Sequence, residues 1–184
     1  MKVKGTWFLP YVQMIRANKA RKAEFDDFLQ PQDWEIINNK VLVSSWYPFE
    51  SYRRMGEAVF RVLARGDLQT VQATGQGLMR EMLKTYKNMV VANDPIASLG
   101  KLLQNQSNFF RNIDSMISFT KKEPGQVEIQ LAMTHEFLAD PVTLAFAHQI
   151  AGKMEELISQ AGGKHAKVEV KKNPLNFAFH VTWQ

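Results

Sequence analysis

Near residue 115 the apolar residues of this chain change period, and that change limits the folds open to it. From Phe49 they recur every three or four positions, through Tyr52, Gly56, Val59, Phe60 and Leu63, which marks an amphipathic helix. Gly66 offers a left-handed stop and Asp67 a cap. A second helix runs through Leu68, Val71, Gly75, Leu78, Met82, Tyr86 and Met89. Glycine inside a helix costs about 1 kcal/mol relative to alanine. Gly56 and Gly75, both on apolar stripes, therefore predict close backbone approach, and the two helices are expected to pack on each other. A third helix is predicted over "NDPIASLGKLLQNQSNFFRNI", capped by Asp94 with Pro95 at its first position. The N-terminal part reads as shorter helices: about Phe8 to Lys22, then "AEFDDFL" and "PQDWEIINN".

Beyond the change, "SMISFTKK", the turn "EPG" and "QVEIQLAMT" read as a hairpin, with Val127, Ile129, Leu131 and Met133 on one face. Asp140 and Pro141 open a helix through Val142, Phe146, Ile150, Met154 and Leu157, and Gly162 and Gly163 stop it. Two alternating strands follow, "HAKVEVKK" and "NFAFHVTW", the second with Phe177, Phe179, Val181 and Trp183 on one face. The order predicts an α+β fold, with helices packed on a four-stranded antiparallel sheet built from two hairpins separated by a helix. At 184 residues the chain reads as a single domain over 1–184. Its helical part is expected over about 5–113 and its hairpin–helix–hairpin part over about 114–184.

Composition narrows the function. Apolar content of 45% and charged content of 22% are those of an ordinary globular protein. No apolar run approaches the roughly 18 residues of a membrane span. "MKVKGTWFLPYVQMIRANK" is broken by Pro10 and Gln13, so no secretory signal is expected. With no cysteine, disulfides, thiolate zinc sites and cysteine nucleophiles are excluded, and a cytoplasmic location is expected. The net charge of +5 and a pI near 9.4 come from small groups of basic residues, among them Arg16, Lys19, Arg21 and Lys22; Arg53 and Arg54; Lys164, Lys167, Lys171 and Lys172. Such a surface meets nucleic acid, anionic lipid or an acidic protein, or simply keeps the protein soluble. A nucleic-acid role rests on this charge alone and is the least favoured.

No constellation of catalytic residues is visible. His135, His148, His165 and His180 lie on different elements without the close spacing of metal ligands, so no metal site is expected. The serines have no elbow motif or nearby base. The carboxylate pairs Asp26–Asp27 and Glu155–Glu156 are adjacent, so on a helix they diverge. "GQG" at Gly75–Gly77 lacks the lysine and hydroxyl of a phosphate loop. The chain is read as a non-enzyme, with no catalytic residue and no cofactor.

The element order, with "SSWYPFESYRRMGEAVF", "RGDLQTVQATGQGLMREML" and "FAFHVTW", resembles the ligand-binding superfamily of heme–nitric-oxide-binding domains, 4-vinyl reductase domains and TRAPP small subunits. The likeness is closest to its paralogous bacterial members and spans about Gly5 to Trp183. It implies a signalling domain that holds a small apolar ligand between helices and sheet. The aromatic residues at helix ends, Trp46, Tyr47, Phe49, Tyr86, Phe109 and Phe110, are the expected pocket lining; the same rings also serve as a staple and core filling. The alternative is a protein-interaction scaffold, homodimeric or bound to another protein, with no small ligand.

Two signatures of that superfamily are missing. Its heme sensors carry a histidine on the helix before the hairpin and a Tyr-x-Ser-x-Arg motif. Here the segment from Asp94 to Ser115 has no histidine and the motif occurs nowhere. Specific five-coordinate heme binding is therefore not expected, and the zinc of the vinyl-reductase type lacks its cysteines.

Overall fold

Strand β1 (Lys2–Lys4) passes without a loop into helix α1 (Gly5–Ala17). The computed structural model describes residues 1–111, 117–132 and 141–184. They group into two compact units, Met1–Asp67 with Ser107–Ile113, and Leu68–Gln106 with Asp114–Gln184.

In the first unit, Gly5 makes the strand-to-helix junction possible. Its N–H donates to the Ser45 carbonyl at 2.8 Å. A Cβ on Gly5 would lie 2.9 Å from the Leu42 carbonyl carbon and 3.0 Å from the Val43 Cα, so only glycine admits the loop that crosses there. Helix α1 thus begins ahead of the expected Phe8. It ends at Ala17, where the Asn18 side chain donates to the Met14 carbonyl at 2.8 Å. A short 3-10 turn and α2 (Lys22–Asp26) follow. Helix α3 (Pro31–Asn38) starts with proline and a reciprocal cap between Gln30 and Asp33. Helix α4 (Phe49–Ala58) widens into a π-helical turn over Val59–Leu63, and Gly66 stops it at φ +79°.

The aromatic stretch at the entry to α4 is also a strand, β2 (Trp46–Pro48), which ends at the Pro48 N-cap. It joins β1 and β3 (Phe110–Arg111) in a three-stranded antiparallel sheet, order β2-β1-β3. Strands of two and three residues are too short to show a period, so this sheet is not legible in the amino-acid order.

The second unit holds α5 (Leu68–Thr85), α6 (Pro95–Gln104), β4 (Ile117–Glu123), β5 (Gln126–Ala132), α7 (Pro141–Gln160), β6 (Lys167–Lys172) and β7 (Asn176–Thr182). Asp94 caps α6 by accepting from the Ala97 N–H at 2.8 Å. The helix stops at Gln104 rather than near Ile113, because Asn105 folds its side chain back onto the Lys101 carbonyl at 2.7 Å. The four strands form the expected antiparallel sheet, order β4-β5-β7-β6, and the fold class is α+β. Val127, Ile129, Leu131, Phe177, Phe179 and Val181 are all buried on its inner face. The expected roles of Ser115, Met116, Met133 and Asp140 fall outside the described residues.

Backbone meets backbone at Gly75 but not at Gly56, whose neighbour is a side chain. Gly56 faces Tyr11 of α1, with the phenol oxygen 3.2 Å from where a Cβ would stand. Gly75 of α5 meets the backbone of Gln149 on α7, with its Cα at 3.2 Å, while Gly152 of α7 meets the backbone of Gln72 and Gln76 on α5. The α5–α7 crossing is thus a reciprocal pair of glycines, each receiving the other helix's backbone.

Candidate functional site

The first unit is built around aromatic rings. Helical spacing on α1 puts Trp7, Phe8 and Tyr11 on its inner side, where all three are buried. Trp7 meets Phe110 edge-on at 5.0 Å and Phe109 at 5.8 Å. Phe8 stacks on Tyr47 at 4.9 Å. Tyr52 of α4 lies 5.0 Å from Tyr11 and 6.2 Å from both Phe8 and Phe49. Such offset and tilted pairs add to plain area burial. Burial, and then the neighbouring Tyr11, push the Tyr52 phenol well above its ordinary range.

Five of the six residues expected to line a pocket belong to this unit. Phe49, Phe109 and Phe110 are buried within it, Tyr47 is half-buried against Phe8, and Trp46 is half-exposed on the small sheet. Tyr86 belongs to the second unit, just after the end of α5. The sequence reading missed Trp7, Phe8 and Tyr11, although their three- and four-residue steps carried the signal.

Beside the rings lies a buried ion pair. Arg54 of α4 donates to both oxygens of Asp33 on α3, at 2.6 and 2.8 Å. Asp33 is fully buried. Burial works against its charge, but Arg54, the Gln30 N–H and Ser51 together hold its carboxyl below the usual range.

In the second unit the polar chemistry is a seam along α5 and α7. Glu155 accepts from Gln72 at 2.7 Å, Gln76 at 2.8 Å and the Val168 N–H of β6 at 2.9 Å. Glu156 accepts from both arms of Arg80, at 3.0 and 2.7 Å, and from Gln160 at 2.8 Å. The two adjacent carboxylates therefore diverge, as their spacing implies. Lys153 on α7 is buried, which lowers its pKa well below that of an ordinary lysine.

The described histidines are dispersed. His148 of α7 shares a 3.0 Å hydrogen bond through Nδ1 with Gln72, and burial lowers its pKa. His180 pairs with Glu128 on an exposed sheet face. His165 sits exposed in a turn at φ +53°. His135 lies outside the described residues. Among the described residues no three His, Cys, Asp or Glu side chains converge as a metal site, and no helix is long and apolar enough to cross a membrane.

Comparison of the backbone with solved structures places this architecture. An Fe(II) unliganded H-NOX protein from K. algicida matches with a TM-score of 0.65 at 12% identity, over 98% of this chain and 96% of that one. The fold is H-NOX-like. An S. oneidensis H-NOX protein in the Fe(II)NO ligation state matches with a TM-score of 0.62 at 12% identity, over 98% and 99% of the two chains. A mutant T. tengcongensis H-NOX matches with a TM-score of 0.62 at 8% identity, over 98% and 97%. No family model matches the sequence, and no curated protein does either.

A heme held by this fold would need an axial ligand from the protein. On α6 the buried side chains are Ser98, Leu99, Leu102 and Leu103, none of which is an axial ligand for iron. The Ser98 hydroxyl is engaged by the Val91 N–H at 2.8 Å and the Asp94 carbonyl at 3.0 Å. The Nδ1 bond of His148 would suit a ligating imidazole. One turn away, however, Gly152 brings the α5 and α7 backbones into contact, which leaves that seam no room for a porphyrin. Neither α6 nor His148 fits an axially held heme.

Proposed function

We propose that this chain is a non-enzymatic sensory or regulatory domain that binds a small apolar molecule, without heme, against the aromatic side chains of its first unit. The observation that carries the reading is the H-NOX-like fold along 98% of the chain, shared with proteins described in Fe(II) and NO-ligated states. The ring pairs among Trp7, Phe8, Tyr47, Phe49, Tyr52, Phe109 and Phe110 supply an apolar surface against which such a molecule would pack. The placement of the described histidines argues for a ligand that needs no axial bond.

Native mass spectrometry of the purified protein, before and after organic extraction, is the test. The expected result is a bound small molecule that extraction removes and that Phe109→Ala fails to retain. Repeated absence of any co-purifying or titratable apolar ligand would sink the reading and return the chain to the scaffold class. A hemin titration supplies the other arm. A sharp, saturable Soret band at one equivalent, lost in His148→Ala or His135→Ala, would replace the heme-free reading with a gas sensor.

A further inference from the structure

We propose that the exposed face of the three-stranded sheet, together with the loop beside it, docks on an anionic lipid membrane surface. This inference does not depend on the ligand reading above. It starts from strand alternation. Val3 points inward and is fully buried, so Lys2 and Lys4 point outward. Residues paired directly across strands share a face. Trp46 is the partner of Lys4, while Pro48 and Arg111 are the partners of Lys2. The outer face therefore carries Lys2, Lys4 and Arg111, the last two over one indole. The Lys4 ammonium lies 4.7 Å and the Arg111 guanidinium 4.1 Å from the Trp46 ring centre.

Among the described residues, no acid is paired with the cations of this face. No Asp or Glu occurs in residues 1–23 or 36–49. Lys2, Lys4, Lys40 and Arg111 form no ion pair among the described residues. The first acid after β2, Glu50, is held by Arg53 at 3.1 Å. By contrast, Lys167 on β6 is paired with Glu169 at 2.6 Å.

Apolar groups flank the basic strand. Four large hydrophobic residues are exposed among the described residues, and three lie here: Met1 (47%), Leu42 (48%) and Val43 (53%). Leu42 and Val43 are presented by a fixed loop. The Thr6 N–H donates to the Val43 carbonyl at 3.2 Å, the Gly5 N–H to Ser45 at 2.8 Å, and the Leu42 N–H to the Tyr47 hydroxyl at 2.9 Å. The Gly5 crossing described above locks the same loop onto the start of α1.

Cations and a half-exposed tryptophan on the sheet, with exposed aliphatics on the loop hydrogen-bonded beside it, are groups that seat a protein at a headgroup boundary. The cations meet anionic headgroups, the aliphatics enter the acyl edge, and the indole spans the two. Nucleic acid fits less well. It has no use for Leu42 and Val43, and base stacking on Trp46 would compete with the two cations already on the ring.

Co-sedimentation with vesicles tests the proposal, comparing phosphatidylcholine alone with phosphatidylcholine mixed with phosphatidylglycerol. Binding is expected to the mixed vesicles only, weakening as salt rises. Each cation near such a surface contributes about five-fold. The triple change Lys2→Gln, Lys4→Gln, Arg111→Gln should therefore lower partitioning by about a hundred-fold while leaving the circular dichroism spectrum unchanged. Leu42→Ser with Val43→Ser should weaken binding several-fold, most visibly at high salt, and abolish the blue shift of Trp46 emission that vesicles induce. Trp46→Phe identifies that signal among the four tryptophans. Equal binding to neutral vesicles, no binding at low salt, or full binding by the triple variant would each overturn the proposal. So would binding to duplex DNA as tight as to the mixed vesicles and indifferent to the Leu42 and Val43 changes, which would make the face a nucleic-acid surface.

Discussion

Arg54→Met should be among the most damaging single changes in the first unit, and its cost should depend on pH in a defined direction. The substitution keeps most of the side chain's length and removes both donors to Asp33, the 2.6 and 2.8 Å bonds. What remains is a fully buried carboxylate held only by the Gln30 N–H at 2.9 Å and by Ser51. Breaking one partner of a buried pair costs about 3–5 kcal/mol, a large share of the roughly 5–15 kcal/mol of a whole domain. Arg54 is less deeply placed, with its side chain 13% exposed, so Asp33→Asn leaves a cation that can still reach water and should cost less. The double variant should cost less than the sum of the two, since the residues share one interaction. In the native protein the Asp33 pKa is depressed, below the roughly 3.9 of an unfolded aspartate. The pair's stabilisation is therefore present above about pH 4 and is lost as pH falls through the folded pKa. The Arg54→Met deficit should be largest near neutrality and shrink in acid. Urea unfolding followed by tryptophan emission at several pH values reads both quantities. A deficit below about 1 kcal/mol near neutrality, the scale of an exposed pair, or one that does not change with pH, would refute the reasoning.

Two further outcomes follow from the second unit. Gly75→Ala should destabilise by about 1–3 kcal/mol, because its methyl would meet the Gln149 backbone rather than a movable side chain. Gly77→Ala, two residues along the same helix with no atom within 4 Å, should stabilise by up to about 1 kcal/mol; thermal unfolding of the pair separates packing from propensity. His148 has a lowered folded pKa. The unfolded state therefore takes up its proton first, and stability should fall as pH drops through about 6.5, the unfolded value for histidine. His148→Gln should flatten that part of the stability-against-pH curve, and an unchanged slope would exclude His148 as its source.

The larger architecture was legible in the amino-acid order because it rests on local rules. Helical spacing from Phe49 onward, the Asp94–Pro95 start of α6 and the alternation of Val127, Ile129 and Leu131 each follow from burying one face of a helix or strand. Together they were enough for an α+β chain with a four-stranded antiparallel sheet. The divergence of Glu155 and Glu156 followed from their adjacency on one helix. The dispersal of His148, His165 and His180 was likewise evident from their lying on separate elements. What escaped the sequence depends on neighbours far away in the chain. Gly75 announced a close approach but not its partner, because a glycine records that space is short and not which backbone fills it; Gln149 lies 74 positions on. The β2-β1-β3 sheet joins Lys2–Lys4 to Trp46–Pro48 and Phe110–Arg111, three segments too short for any period to appear. The Asp33–Arg54 pair and the meeting of Lys4 and Arg111 over Trp46 are likewise long-range pairings. By itself the sequence determined which faces must be buried, since that is a property of consecutive residues. Which buried face meets which, and so where charge and aromatic rings converge, was decided only in the tertiary structure, because packing selects partners by shape across the whole chain.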